Sequence, residues 1–316
     1  MPQTAPLIPI ITGPTGVGKT DRAVEVAEIL GAQILSADSM AVYREMEVAT
    51  AKPTPEQRAR VPHHLIDLVT PDTPFTVADY RDRATALLRS LLDQGVPPLM
   101  VGGTRLYLKS LTAPFFAGPD SDPEFREEMA ELFRAQGPEA LHDRLRVADP
   151  VAAARLHPHD EKRVIRALEV HHTTGKPITD FQLASQDAEP PFRPFWIVLM
   201  RDRAEIYNRI NRRCDEMLES GLTEEVQSLL GRYDPRLPAL QGHGYKEIAG
   251  ALLGHYPLEE GVRLLKRNTR RYAKRQLSWL RHEEGVHPVR ADQDAKEVRN
   301  QALELLERVV GHGGGS

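Results

Sequence analysis

One cysteine, Cys214, stands in 316 residues, so no internal disulfide can hold this chain together and its stability has to come from packing. Long apolar runs are missing as well. None approaches the roughly 20 residues that a helix needs to cross a bilayer. Met1-Pro2-Gln3-Thr4 lacks the basic residues of a secretory signal, and a cytoplasmic protein with no membrane partner is expected. Charge of either sign is in little excess. With a net charge of -4 and a pI near 6.3, whole-chain balance gives no hint of nucleic acid, and any basic surface has to be local. No internal repeat is present. A 41% hydrophobic content is enough for a sizeable core, in one large or two smaller domains.

What is present is organised around Gly13-Pro14-Thr15-Gly16-Val17-Gly18-Lys19-Thr20, which fits the phosphate-loop pattern G-x-x-x-x-G-K-[ST]. The context supports it. Leu7 to Thr12 reads as a buried strand, and Asp21 to Leu30 places Ala23, Val24, Ala27 and Leu30 at helical spacing. Glycines let such a backbone fold until its N–H groups converge at a helix N-terminus, a cradle for phosphate groups. Lys19 would reach the terminal phosphate, and the Thr20 hydroxyl would ligate a bridging Mg2+. Nucleotides are the commonest ligand of such a loop but not its only one.

Gln33 to Ser39 reads as a second strand that delivers Asp38 near the site, as a base or else as a helix cap. Tyr43 to Pro55 is a proline-punctuated loop, and Pro62 to Asp67 a short strand whose His63 and His64 point to opposite faces, a poor pattern for zinc. A helix is expected from Phe75 through Asp93, then a strand running into Gly102-Gly103-Thr104, where Thr104 could donate a hydrogen bond into the cleft. From Pro114 to about Pro191 the strands stop. Helices around Phe125–Ala135, Pro138–Val147 and Asp160–Thr173 predict an inserted lobe, with Asp122 as a cap and with Arg126, Lys162, Arg163 and Arg166 as its charges.

The core resumes with Phe195 to Met200, a strand, followed by Asp202, which is better placed as a cap than as a magnesium partner. Arg209 and Arg213 share one face of the next helix and could clamp a polyphosphate, or pair with Glu205 or Glu216. Gly242 to Glu247 reads as a flexed loop able to stack on and grip a nucleobase, or simply to turn the chain. Gly261 to His282 is the sharpest local signal: eight Lys and Arg residues without one acid, interleaved with Tyr272 and Trp279, behind a packing stripe of Leu265, Thr269, Tyr272 and Leu280. The chain closes on a glycine-rich tail, Gly311 to Ser316.

Taken in order, the phosphate loop, Ser36-Ala37-Asp38-Ser39, Ala49-Thr50-Ala51-Lys52-Pro53, Val101-Gly102-Gly103-Thr104 and Arg166-Ala167-Leu168-Glu169-Val170 resemble the tRNA dimethylallyltransferases. Gly175-Lys176-Pro177, Gly244-Tyr245-Lys246-Glu247 and Lys274-Arg275-Gln276-Leu277-Ser278-Trp279-Leu280-Arg281 extend the likeness, which runs from about Ile8 to His287. Two departures are Ala49, where the family usually has glycine, and the lead-in Gln241-Gly242-His243. The resemblance implies an α/β fold, a P-loop NTPase-like parallel sheet core with an inserted, mainly α-helical domain. The core would comprise 1–115 and 192–290, the insertion 116–191, and a C-terminal helix and tail 291–316. It implies transfer of a dimethylallyl group from dimethylallyl diphosphate to N6 of the adenine 3′ of the anticodon, by a monomer using Mg2+. Asp38, Thr104 and Arg213 would be catalytic; Gly13, Thr15, Gly16, Val17, Gly18, Lys19 and Thr20 would hold the diphosphate. The tRNA anticodon stem-loop would meet Asp38, Ser39, Met40, Ala41 and Thr104, then Arg126, Lys162, Arg163 and Arg166 of the insertion. Gly244, Tyr245, Lys246, Lys274, Arg275, Trp279 and Arg281 would complete that surface. Two rivals stay open on the residues alone: a P-loop kinase using ATP on a small molecule or nucleoside, and a nucleotide-switched RNA-binding protein.

Overall fold

The structure, a computed structural model, describes residues 5–50, 52–116 and 118–310, so Ala51 and the expected flexible tail, Gly311 to Ser316, lie outside the described residues. The chain divides into two compact units, Met1–Thr112 with Pro191–Ser316, and Ala113–Pro190.

The first unit is built on strands β1 (Leu7–Thr12), β2 (Gln33–Ala37), β3 (His63–His64), β4 (Pro98–Gly102), β5 (Arg193–Met200) and β6 (Val286–Arg290). They pair, all in parallel, in the order β3-β2-β4-β1-β5-β6. Alternation along each strand sends Ile10, Leu35, Met100 and Trp196 to one face and Ile11, Ile34, Leu99 and Ile197 to the other. Both faces are covered, which is why these strands read as unbroken apolar runs. Helices Val77–Asp93, Arg105–Thr112, Arg203–Glu219 and Leu258–Leu280 close the first face through Tyr80, Leu108, Ile206 and Leu265. Lys19–Leu30 and Ala295–Val310 close the second through Val24, Val298 and Ala302. The C-terminal helix is therefore part of the first unit's packing. Three strand ends result side by side: β1 pairs with β4, β4 with β2, and Ala37 stands opposite Gly102 at the last register.

Some elements escape the sequence pattern for clear reasons. Pro55–Arg60 is a helix with no buried residue, so no apolar period marks it; Thr54 and Gln57 form its capping box. The strand expected over Pro62–Asp67 shrinks to two residues because Leu65 and Asp67 adopt positive φ. Asp202 stands at the start of Arg203–Glu219 but makes no side-chain capping bond, and lies 3.7 Å from Arg290 instead.

The second unit is helical: Pro123–Gln136, Pro138–Ala148, Pro150–Arg155, Glu161–Thr174 and Ile178–Ala184. Three of them begin on proline, which costs nothing at the first position since that N–H has no helical partner. Asp122 caps the first by accepting from the Phe125 N–H at 3.0 Å, as its spacing predicts. The structural centre is Glu169, whose side chain is fully buried. It accepts from Arg126 at 2.7 and 2.8 Å, from Arg166 at 2.6 Å and from the Asp122 N–H at 2.7 Å. Burial alone would raise its pKa; the bonds from Arg126 and Arg166, with that backbone donor, outweigh burial and hold the carboxyl below its usual range. Glu169→Gln leaves both guanidinium groups without their anion, and is expected to cost about 3 kcal/mol, read as faster amide exchange along Glu161–Thr174. Because the folded pKa is the lower one, this stabilisation is present above the ordinary glutamate value and is lost as pH falls through the folded one. The exchange difference between variant and parent should shrink in acid.

Candidate active site

Thr12 ends β1, and the chain turns at once into the phosphate loop. Gly13 has φ 148, and a Cβ there would meet the Leu199 carbonyl oxygen at 2.6 Å, so only glycine lets the loop leave the sheet this way. The loop ends at Gly18, and helix Lys19–Leu30 starts with no side-chain cap. Its first-turn N–H groups thus lack the partner a serine or aspartate would supply. Three outside contacts hold the loop's shape: Arg201 Nε donates to the Val17 carbonyl at 3.1 Å, Arg209 Nε to the Gly16 carbonyl at 2.7 Å, and the Thr15 N–H to Gln276 Oε1 at 2.8 Å. The Val17 side chain is core, and its N–H bonds back to the Pro14 carbonyl at 3.3 Å. Of the seven residues expected to hold a phosphate, Thr15 and Val17 therefore spend their amides on the protein itself.

Lys19 Nζ donates to the Gly13 and Pro14 carbonyls, both at 3.1 Å. Burial lowers its pKa to about 8, with Asp38 raising it and Arg213 lowering it further. These three charges feel one another. Arg213 reaches the same region from Arg203–Glu219, and it has no hydrogen bond or ion pair among the described residues. Burial lowers its pKa while Asp38 opposes that, and its neighbours make the surface pairs that it does not: Arg212 with Glu216, Arg201 with Glu205. A half-buried guanidinium with no ion pair among the described residues is suited to an anion from outside.

Asp38 lies one residue past β2, where its Oδ1 accepts from the Met40 N–H at 2.8 Å. The bond is a tight local turn and no helix follows, so the cap alternative falls away. Thr104 sits across from it after β4: its N–H donates to the Ala37 carbonyl at 3.0 Å, and its Oγ1 accepts from the Ser39 N–H at 3.0 Å. Beneath them Tyr80 donates to the Ser36 carbonyl at 2.9 Å and stacks on Tyr107 at 3.7 Å. A cavity of about 70 Å³ opens here, lined by Lys19, Thr20, Ser36 and Asp38 together with apolar Ala23, Ile34, Ile66 and Val101. It joins phosphate-loop groups to the carboxylate. His63 also lines it, with Nδ1 2.7 Å from the Val61 carbonyl, while His64 Nε2 lies 2.7 Å from Gln33 Oε1. Among the described residues no group of three His, Cys, Asp or Glu could hold a metal. The hydroxyls of Thr20 and Ser36 and the Asp38 carboxylate form an oxygen set that fits Mg2+ only with phosphate oxygens and water completing its shell.

A family model described as IPP transferase matches residues 41–283. The chain is 48% identical over 273 residues to a tRNA dimethylallyltransferase of Syntrophobacter fumaroxidans, covering 86% of this chain and 80% of that one. With that of Moorella thermoacetica it shares 46% over 307 residues, 95% of each. It belongs to the tRNA dimethylallyltransferase family. Solved structures agree: the tRNA isopentenylpyrophosphate transferase of Bacillus halodurans superimposes with TM-score 0.72 at 38% identity over 98% of both chains. A eukaryotic dimethylallyltransferase described as acting on tRNA gives 0.79 at 25% identity, over 96% of this chain and 78% of that one. The kinase and switch rivals are thereby set aside. No helix among the described residues is long and apolar enough to cross a membrane.

In this dimethylallyltransferase several of the residues expected to face RNA already have partners within the protein. Tyr245 is fully buried at the start of Tyr245–Leu252, its hydroxyl donating to Glu225 Oε1 at 2.8 Å, so it cannot stack on a base. Gly244 must stay glycine, with φ 98 and with Ala49 Cβ 2.6 Å from where its own Cβ would be. Trp279 is partly buried and packs edge-on against the core residue Trp196, with ring centroids 5.9 Å apart. Arg126 and Arg166 bind Glu169, and Arg163 lies 2.9 Å from Asp160, while Lys162 is exposed. Lys246 is half-exposed, 3.8 Å from Glu247.

The basic helix Leu258–Leu280 sorts its charges. Arg263 pairs with Glu260, Lys266 with Asp215, and Arg270 donates to Asn211. Arg271, Lys274 and Arg275, with Arg281 just past the end, are exposed and make no ion pair among the described residues, Arg275 lying 5.8 Å over the Tyr272 ring. On the opposite face, which the sequence pattern left as packing, Tyr272 and Gln276 enter the site. Burial pushes the Tyr272 hydroxyl up to about 12, while hydrogen bonding to Thr104 and Gln276 pulls the other way. Their four-residue spacing puts them on one helix face, but nothing in the sequence names the partners of Gln276. Replacing Arg271 and Lys274 together by alanine should weaken tRNA binding and reduce the slope of log affinity against log salt by about 1.5. The measurement is a filter-binding titration across salt concentrations, and an unchanged slope would remove this face from the RNA interface.

Proposed function

We propose that this enzyme moves the dimethylallyl group of dimethylallyl diphosphate to the exocyclic N6 of the adenine 3′ of the anticodon in tRNA. One observation carries the proposal: a carboxylate, Asp38, shares a small cavity with the lysine and threonine of a phosphate loop, and a half-buried Arg213 with no ion pair among the described residues is in electrostatic reach of Asp38 and Lys19.

The residue types match the reaction. In the allylic step the carbon–oxygen bond to the diphosphate breaks and the electron pair leaves on oxygen, so negative charge grows on the leaving group. Lys19, Arg213 and the first-turn N–H groups of Lys19–Leu30 stabilise it as it grows. The N6 lone pair is delocalised into the adenine ring; a bond from N6 to the allylic carbon forms as the N6 proton passes to Asp38. Thr104, tied to Ser39, holds the acceptor's edge of the cleft. Mg2+, held by Thr20 and by the diphosphate itself, with Ser36 and Asp38 lining the same cavity, would offset charge on that diphosphate. The adenine has to leave its stack, at a cost of a few kcal/mol. Arg271, Lys274, Arg275 and Arg281 hold the RNA backbone meanwhile.

Incubation with an anticodon stem-loop RNA, dimethylallyl diphosphate and Mg2+ but no nucleotide tests this reading. Digestion and mass spectrometry are expected to find one adenosine carrying the five-carbon group, and RNA recovered unmodified would refute it.

A further inference from the structure

The inward face of the basic helix carries Gln276, to which the proposed chemistry assigns no role. It is 4% exposed, and both ends of its carboxamide are engaged. Oε1 accepts from the Thr15 N–H at 2.8 Å, and Nε2 donates to the Gly103 carbonyl at 3.0 Å. Thr15 belongs to the phosphate loop after β1; Gly103 belongs to the turn after β4 that delivers Thr104. A single side chain thus spans the two loops that hold the leaving group and the acceptor. A Cβ on Gly103 would land on Nε2, so the absence of a side chain there is what lets the carboxamide reach the carbonyl.

Glycine amides form an anion cradle only in one of many shapes open to such a loop, and any shape not fixed beforehand has to be fixed at the moment of binding. A carboxamide is well suited to fixing it, since it offers one acceptor and one donor in a rigid plane and can satisfy a buried N–H and a buried C=O together.

We propose that Gln276 is a positioning residue that locks the phosphate loop to the Gly103–Thr104 turn and so sets the cradle in its anion-binding shape before the prenyl donor arrives. The inference rests on the diphosphate reading of that loop. It gives the Thr15 N–H a different task from its neighbours: it anchors the loop rather than the ligand.

The test is calorimetric binding of inorganic diphosphate, with Mg2+, to the full-length protein. Gln276→Met keeps the length and loses both bonds, and is expected to weaken binding by roughly tenfold, since two ordinary hydrogen bonds are lost. Gln276→Glu discriminates further. Protonated, its carboxyl offers the same acceptor and donor as the amide, so at acid pH this variant should bind within about threefold of wild type. As pH rises and the introduced carboxyl ionises, it loses its donor and brings negative charge to the cradle, and its affinity should fall away from that of wild type. Gly103→Ala displaces the carboxamide with Gln276 still in place, and should weaken diphosphate binding as Gln276→Met does. In steady state the KM for the prenyl donor should rise while the KM for tRNA holds. A side chain that only filled space would leave Gln276→Met at wild-type affinity and give Gln276→Glu no pH-dependent loss; either result overturns the assignment. Wild-type protein that ignores diphosphate overturns instead the reading of the loop on which the assignment depends.

Discussion

Asp38→Ala is expected to lower turnover at saturating substrates by roughly a hundredfold or more, while tRNA affinity changes by less than about threefold. Asp38 is tied to the Met40 N–H by one carboxylate oxygen, and it lines the cavity shared with Lys19 and Thr20. Its charge raises the pKa values of Lys19 and Arg213, so its loss also weakens the electrostatic balance of the phosphate site. Asp38→Asn separates these roles, because it keeps the shape and the acceptor for the Met40 N–H but cannot take a proton. The asparagine variant should be nearly as slow as the alanine one. Turnover within fivefold of wild type for Asp38→Asn would reduce Asp38 to a turn-former.

Arg213→Ala is expected to lower kcat by roughly 10² to 10³, the usual effect of removing one donor aimed at charge that grows in the transition state. Ground-state binding of the prenyl donor should suffer less. Arg213 lowers the Lys19 pKa, so removing it leaves a more firmly charged lysine that partly compensates before the bond breaks. Arg213→Lys should recover little, because a point charge replaces a planar fork that enters from a fixed helix. Steady-state kinetics varying the prenyl donor separate the two outcomes. A raised KM with an unchanged kcat would make Arg213 a clamp on the ground state alone.

How much of this was legible in the sequence depends on where each residue finds its partners. The phosphate loop was plain because its work is done by backbone, and glycines at fixed spacing between a strand and a helix encode it within a few residues. Asp38 and Thr104 were legible because each follows a strand that ends at the cleft. Gln276 was not: its partners lie 261 and 173 residues away, and within its helix it is one polar residue among many bases. Tyr245 misled for the opposite reason. An aromatic beside a lysine looks like a base-stacking pair, but Glu225, which takes its hydroxyl's hydrogen bond, comes from another element. Arg166 could be matched to Glu169 three residues on, whereas Arg126 needed the packed helices to show that it shares the same carboxylate.

The central claim is that a loop best known for holding nucleotides here grips a departing diphosphate. The most direct measurement uses dimethylallyl diphosphate labelled in both halves, under single-turnover conditions, with ATP present at equal concentration. Prenyl label should enter RNA in step with release of intact labelled diphosphate, with ATP untouched. Label from the phosphate half on RNA, or phosphate released from ATP in place of prenyl transfer, would contradict it.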